Sequence, residues 1–237
     1  MQILRILAVE SSAKPASIAV VRNETLEAYS FQNIGLTHSR TLMPVLADTL
    51  KNAGLSLSEI DAFAIAAGPG SFTGLRIGIA TVKGLAFGAD KPCIGVSTLE
   101  AMAENAFFLD GVLCCGMDAR RGEVYNANFL SSGGTLTRLC EDRALPAEKM
   151  AEELRNCGKK IFCIGDGASL CYNSLRSIGE DAEILPAHMV YQGAYGVARL
   201  AMKKYSPDAK LSADDLTPVY IRLSQAEREK NEKTKNN

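Results

Sequence analysis

Short apolar runs in the first half of the chain alternate with longer segments of helical periodicity. The runs have the length and the flanking turn residues of strands, and they cover residues 3–9, 17–21, 26–31, 62–67 and 93–96. Leucines at i, i+4 and i+8 predict a helix over residues 39–53, and a capping-box pattern from Ser97 predicts another near 99–107. This order predicts an α/β layer with an antiparallel start and a parallel continuation.

The same pattern begins again near Gly111 in a shortened form. Strands are predicted at residues 112–117, 124–130, 135–140 and 161–164, with helices at 147–156 and 189–204. We therefore predict two lobes, residues 1–108 and residues 109–223, of which the second is reduced. Residues 224–237 carry many charged and almost no apolar side chains, which predicts a disordered tail.

The segment from Gly68 to Gly88 departs from this ordinary pattern, because its predicted helix is apolar on nearly every side and rich in glycine. Each glycine inside a helix costs about 0.5–1 kcal/mol relative to alanine, so local stability does not explain Gly78 and Gly84. Small residues at this spacing allow another backbone to come close. A helix without a polar face is normally covered on both sides, either by further layers of this chain or by a partner protein.

Composition and charge exclude several classes of protein. The net charge of −1 argues against strong binding of nucleic acid by this chain alone. No apolar run approaches the roughly 20 residues that cross a membrane. The seven cysteines include no CxxC pair, which favours core packing in a reducing cytoplasm over disulfides or a zinc site.

Four charged residues are candidates for contact with a nucleotide or another anion. Glu10 follows the first predicted strand and Asp118 opens the second half. The two either hold a magnesium–nucleotide pair between the lobes or each cap a turn. Arg120 and Arg121 lie in a predicted hairpin turn, which is either solvated or in contact with an anion.

Two glycine turns, at residues 68–70 and 163–168, lie between a strand and a helix, where a helix N-terminus can bind phosphate. Neither has the spacing of a dinucleotide fingerprint or a Walker loop. The two histidines, His38 and His188, form no metal-binding pair, and Ser71 is not in a nucleophile elbow. The residues assemble no complete catalytic constellation, and no metal site is expected.

Seven segments resemble, in order and spacing, the bacterial TsaB family, also called YeaZ. They are LAVESS at 7–12, THSRTLMPVL at 37–46, GPGSFTGLRIG at 68–78, KGLAFG at 83–88, GVSTLEAMA at 95–103, MDARRGEVY at 117–125 and TPVYIR at 217–222. The resemblance covers residues 2–222. It implies the fold of the actin, sugar-kinase and Hsp70 ATPase group, with two RNase-H-like lobes of which the second is reduced.

The resemblance also implies a role and partners. The family supports formation of N6-threonylcarbamoyladenosine in tRNAs that decode codons starting with A. Its members are non-catalytic paralogues of TsaD, the transferase, with which they pair through helices of the first lobe. TsaE, an ATPase, joins that complex, so tRNA is met through the complex. Members also form homodimers when alone, and no membrane is involved.

On this resemblance we expect a pairing surface on helices 39–53 and 74–88, built by Leu42, Leu46, Leu50, Gly74, Leu75, Gly78, Val82 and Gly84. Replacing Gly78 by leucine is then expected to abolish pairing while the monomer stays folded.

The chain is expected not to be an enzyme. It lacks the HxxxH metal pair of the catalytic paralogue, and it has Glu10 where many relatives have aspartate. No tightly bound cofactor is expected, and ATP or ADP with magnesium would enter only at the interface of the complex. The alternative is an ATP-dependent small-molecule kinase or ATPase of the same fold group.

Overall fold

The first lobe contains a five-stranded mixed sheet. The computed structural model describes residues 3–206 and 212–222. The strands of this sheet are β1 (Arg5–Glu10), β2 (Ala16–Arg22), β3 (Thr25–Gln32), β4 (Ala62–Gly68) and β5 (Cys93–Ser97), in the order β3-β2-β1-β4-β5. β1, β2 and β3 are antiparallel, whereas β4 pairs in parallel with both β1 and β5. The predicted antiparallel start and parallel continuation are confirmed.

Helices cover both faces of this sheet, which explains why its central strands are apolar throughout. Leu7 and Val9 of β1 pack in one core cluster with α1 (His38–Asn52) and α2 (Phe72–Ala89). Ile6 and Ala8 point to the opposite face, where they pack against α6 (Ala194–Lys204). Every residue of β4 is buried.

The second lobe contains a six-stranded sheet with fewer helices. Its strands are β6 (Gly111–Asp118), β7 (Glu123–Ser132), β8 (Thr135–Arg138), β9 (Arg143–Pro146), β10 (Ile161–Ile164) and β11 (Ala182–Ile184). They run in the order β11-β10-β6-β7-β8, with β9 also pairing with β7. The helices α4 (Ala147–Glu153) and α5 (Ala168–Ser177) pack beside each other in this lobe, and α3 (Thr98–Glu104) leads into it.

The predicted division at residue 109 needs a correction, because α6 and the segment around Leu216 pack in the first lobe. α6 packs against β1, β2 and β4, and Leu216 lies in the core of the first lobe. Residues 109–223 therefore do not form one unit in space. The helix predicted from 189 begins at Ala194, after the extended Gly193. The predicted tail at 224–237 lies outside the described residues.

The buried carboxylate of Glu104 joins α3 to α6 by pairing with two cationic side chains. The side chain of Glu104 is only 3% exposed, and it accepts hydrogen bonds from Arg199, at 3.2 Å, and from Lys203. The Arg199 guanidinium lies 3.7 Å from the centre of the Phe107 ring. Because a buried carboxylate is stable only when it is paired, this cluster favours one arrangement of the two helices.

Candidate partner-binding face and lobe junction

Gly74 and Gly78 on α2 leave room for the turn that follows β1. A Cβ at Gly74 would overlap the carbonyl oxygen of Ser11, and a Cβ at Gly78 would overlap Ser11 Oγ. Ser11 Oγ also donates a hydrogen bond of 3.0 Å to the Gly74 carbonyl oxygen. The close neighbour is Ser11 of this same chain, through its backbone at Gly74 and through its side chain at Gly78. Gly74 and Gly78 therefore serve the fold and are not surface residues.

The apolar side chains predicted to meet a partner also lie inside the first lobe. Each of them is at most 6% exposed: Leu42, Leu46, Leu50, Leu75 and Val82. Leu42, Leu46, Leu50 and Val82 belong to the core cluster beneath α1 and α2, and Leu75 is fully buried. A partner cannot reach them without unfolding the helices. The assignment of these five residues to the interface is therefore corrected, and pairing through α1 and α2 stays a prediction.

Of the eight residues predicted for the interface, Gly84 alone is exposed. A Cβ at Gly84 would have no atom within 4 Å. The neighbouring positions on the outer side of α2 include Ala80, which is exposed, and Phe87, which is 84% exposed. Met43 and Ala47 are exposed on α1, which packs beside α2. These five residues are called the α1–α2 face below. Its small and apolar character is typical of a protein-binding surface.

Glu10 lies at the junction between the lobes, at the end of β1. It is 1% exposed, and its Oε1 accepts a 2.6 Å hydrogen bond from the Ser12 amide. Burial raises the pKa of Glu10 to about 7, although the hydrogen bonds from Ser12 favour the ionised form. The structure therefore leaves Glu10 inside the protein, where a nucleotide phosphate has no direct access to it.

Asp118 and the two arginines form a surface turn in the second lobe. Asp118 Oδ1 accepts a 2.7 Å hydrogen bond from the Arg120 amide, and its Oδ2 lies 3.2 Å from Arg120 Nη1. Asp118 thus caps its own turn, one of the two roles left open for it. Arg120 and Arg121 have positive φ angles of 67° and 57°, which cost about 1–2 kcal/mol each. Both side chains are exposed, and Arg120 is already paired with Asp118.

The structure adds Asp166 and Gln192 to the junction, two residues that sequence reasoning did not single out. Asp166 follows β10, and its Oδ1 accepts a 2.7 Å hydrogen bond from Gln192 Nε2. Partial burial raises the pKa of Asp166, even though one side of the residue is exposed. Its position at the end of a central strand, within the glycine turn at 163–168, was the available signal.

Residues 212–222 form a strap that crosses from the first lobe to the second, a feature that sequence reasoning missed. Leu216 is 7% exposed in the first-lobe core, and the Val219 amide donates a 2.8 Å hydrogen bond to the Ala67 carbonyl oxygen. The Tyr220 ring stacks on Phe72 with 4.2 Å between the ring centres. At the far end, Arg222 pairs with Glu123 of β7. Apolar residues in an otherwise polar C-terminal region were the available signal.

The strap also explains the glycine turn at residues 68–70. Gly68 has a φ of 134°, and a Cβ there would overlap the carbonyl oxygen of Val219. The Ser71 amide already donates to the Ser12 carbonyl oxygen at 2.6 Å, and Ser71 Oγ accepts from the Gly74 amide. Since these groups are used within the chain, the turn is not organised as a phosphate cradle.

A pocket of about 400 Å³ lies between β5, the strap and the second lobe. Its charged lining residues are Asp142 and Asp215, and Asp142 accepts a 2.5 Å hydrogen bond from Ser97 Oγ. The described residues that line it include no lysine or arginine that could pair with a phosphate group. The pocket therefore does not support the nucleotide alternative.

Replacing Leu216 by alanine is expected to lower the free energy of unfolding by about 2–3 kcal/mol, because the change leaves a cavity in the first-lobe core. Val219→Ala is the matched control, since Val219 is 55% exposed and its strap contact is through the backbone. Urea unfolding of both variants measures the difference. Equal stabilities would show that the strap does not anchor at Leu216.

The cysteines take no part in a metal or disulfide site within residues 3–206 and 212–222. All seven are free thiols, and Cys114, Cys163 and Cys171 are buried together in the second-lobe core. No group of three or more His, Cys, Asp or Glu in this part of the chain is arranged to hold a metal ion. Burial raises the pKa of Cys115 well above its usual range, which makes that thiol unreactive.

A family model, curated relatives and solved structures all match most of this chain. The family model for TsaD, described as tRNA N6-adenosine threonylcarbamoyltransferase, matches residues 33–230. The tRNA threonylcarbamoyladenosine biosynthesis protein TsaB of Escherichia coli (strain K12) is 30% identical over 228 residues, which cover 94% of this chain and 96% of that protein. A crystal structure from Pseudomonas aeruginosa, of a protein with similarity to the peptidase YEAZ, is 28% identical with a TM-score of 0.79. The match covers 92% of this chain and all of that one.

A more distant structure shows the fold alone. Component A of (R)-2-hydroxyglutaryl-CoA dehydratase from Acidaminococcus fermentans has a TM-score of 0.52 at 13% identity. The predicted fold class, two RNase-H-like lobes of the actin and sugar-kinase group, is confirmed by these neighbours. Together with the near full-length match to the Escherichia coli protein, the comparisons show that the chain belongs to the TsaB (YeaZ) family.

Proposed function

We propose that this chain is a non-catalytic subunit in the formation of N6-threonylcarbamoyladenosine in tRNAs that decode codons starting with A. It acts by pairing with a TsaD-type transferase and supporting it together with a TsaE-type ATPase. The chain contacts tRNA only as part of that complex. The names and the family model of the relatives support the pathway.

The α1–α2 face is the observation that carries this proposal. Phe87 is 84% exposed, which is unusual for a large aromatic side chain in a protein without a partner. Gly84 lies in the middle of the outer side of α2 with nothing around it. A glycine there costs about 1 kcal/mol of helix stability and gains nothing within the chain. Close packing against a second helix explains both residues, and a second copy of the chain uses the same face when it is alone.

The lobe junction favours a subunit over a kinase or ATPase. Glu10 is buried, and the amides of Ser71, Gly74 and Leu75 at the start of α2 bond within the chain. Calorimetry with ATP and magnesium on the isolated chain tests this alternative, and nucleotide binding at micromolar affinity would favour it. We also place the chain in the cytoplasm, a compartment that suits its free thiols. In the described residues, no helix is long and apolar enough to span a bilayer.

Reconstitution of tRNA modification from purified components is the direct test. Omitting this chain is expected to abolish modification, while the chain alone modifies no tRNA and hydrolyses no ATP. Equal modification without it would contradict the proposal. Turnover by the chain alone that Asp118→Asn removes would assign it a catalytic role.

A further inference from the structure

The exposed side of α2 carries one arginine near its start. Arg76 is exposed and lies one helical turn before Ala80, in line with the α2 part of the α1–α2 face. The other charged residue of α2, Lys83, is directed at the strap, where its Nζ donates to the carbonyl oxygens of Asp214 and Leu216. Since α2 is described in full, Arg76 is the one charged side chain that this helix offers to a partner.

Two aromatic rings fix the orientation of the Arg76 side chain. Its Nε donates a 2.9 Å hydrogen bond to the hydroxyl oxygen of Tyr220, and its Cζ lies 5.8 Å from the centres of both the Tyr220 and the Phe72 rings. The rings themselves are stacked, with 9° between their planes. These distances are within the range of cation–π contacts. The strap thus positions an arginine that lies 144 residues earlier in the chain than Tyr220.

The terminal nitrogens of Arg76 remain without a partner. Within residues 3–206 and 212–222, Arg76 forms no ion pair, and its Nη1 and Nη2 make no hydrogen bond. The other arginines that contact an aromatic ring in these residues each pair with a carboxylate. They are Arg138, Arg199 and Arg222. Arg76 therefore has the same support as these three arginines but lacks the acid.

We propose that Arg76 binds the carboxylate of an aspartate or glutamate on the helix of the TsaD-type partner that packs on the α1–α2 face. This inference rests on the pairing proposed above and adds a charged contact to it. A guanidinium group matches a carboxylate with two parallel hydrogen bonds, for which Nη1 and Nη2 are available. Because the Arg76 side chain is already ordered, it loses little conformational freedom on binding. The contact would select a partner with an acid at that position and fix how the helices align.

A carboxylate suits this position better than the phosphates of a nucleic acid. Phosphate backbones bind where several lysines and arginines collect, whereas Lys83 is already bonded to the strap. The strap also places two exposed acids, Asp214 and Asp215, on the Lys83 side of α2. On the next turn of the exposed side, Ala80 is small and apolar, as close packing of helices requires. Arg76 thus lies at the end of a surface suited to a protein helix.

Titration of the full chain with the purified TsaD-type partner tests the contact, by calorimetry at low and at high NaCl concentration. Arg76→Gln is expected to weaken pairing at least about tenfold at low salt, because the acid on the partner loses its counter-charge. The remaining affinity should depend less on NaCl than that of the wild type. Arg76→Lys is expected to restore only part of the loss, since an ammonium group lacks the planar fork. Tyr220→Phe keeps the ring and removes the hydroxyl, and about threefold weaker pairing is expected from the looser arginine.

Lys149→Gln is the matched control, because it removes one cation from the exposed side of α4 in the second lobe. Its pairing is expected to equal that of the wild type, and thermal melting shows that each variant is folded. Wild-type chain that does not pair would overturn both the proposed function and this contact. If the wild type pairs and Arg76→Gln pairs equally well, or weakens pairing with an unchanged salt dependence, only the contact is overturned. Equal pairing with weaker tRNA binding by the complex would assign Arg76 to a phosphate and likewise overturn it.

Discussion

Replacing Gly78 by leucine is expected to lower the free energy of unfolding by about 3 kcal/mol or more, through overpacking. A Cβ at this position would overlap Ser11 Oγ and lie 2.9 Å from Ile65 Cδ1. Ser11 cannot move aside easily, because its carbonyl oxygen lies against Gly74 and its hydroxyl bonds to α2. The sequence predicted a folded monomer that no longer pairs, and the structure replaces that expectation with a fold defect.

Gly84→Leu on the same helix is the matched control. It has open space around it, and leucine is the better helix former by up to about 1 kcal/mol. Urea unfolding of the two variants at one pH measures the contrast. A Gly78→Leu protein as stable as the wild type would show that the turn after β1 does not pack on α2 as described.

The contrast between these glycines shows where sequence reasoning ended. Glycines spaced by about four residues indicate close approach, and the approach is real at Gly74 and Gly78. The spacing does not say whether the second backbone belongs to the same chain. The answer depends on the path of residues 11–13, which follow β1 and precede Gly74 by about 60 residues. A contact between such distant segments has no local signature.

The leucines of α1 show the same limit for an amphipathic helix. Leu42, Leu46 and Leu50 predicted the helix and its apolar side correctly. The most apolar side of an amphipathic helix packs on the sheet beside it. These leucines therefore lie in the core of the first lobe and are not available to a partner. The outer side, with Met43 and Ala47, is only weakly apolar and gave no signal.

Strong local patterns predicted most of the elements, and short ones escaped. β10 was predicted with its observed ends, Ile161–Ile164, because a buried parallel strand is apolar throughout. β9 and β11, with the sequences RALP and AEI, are as short as β10 or shorter and have no continuous apolar run, so neither was predicted. The polar junction was found only in part. Glu10 can be recognised in the sequence as an acid at the end of a strand. Gln192 has no such signal, because only the fold brings it into contact with Asp166.

Gly84→Arg is expected to weaken pairing with the TsaD-type partner, and with a second copy of the chain, at least about a hundredfold. The arginine would place a charged head in the middle of the α1–α2 face, where an apolar partner helix leaves it without compensation. The monomer is expected to remain folded, because the site is open and arginine is a good helix former. Loss of pairing would then remove tRNA modification from the reconstituted reaction.

Sedimentation of the variant alone and with the partner measures both kinds of pairing. Ser169→Arg provides the control, since Ser169 is an exposed residue of α5 in the second lobe and lies outside the α1–α2 face. It adds the same charge and should leave pairing and modification unchanged. If Gly84→Arg paired as tightly as the wild type, α2 would not lie in the interface. The exposure of Phe87 would then need another explanation. Gly84 lies one helical turn from Phe87, so an arginine there would weaken the binding of any partner that covers the Phe87 ring.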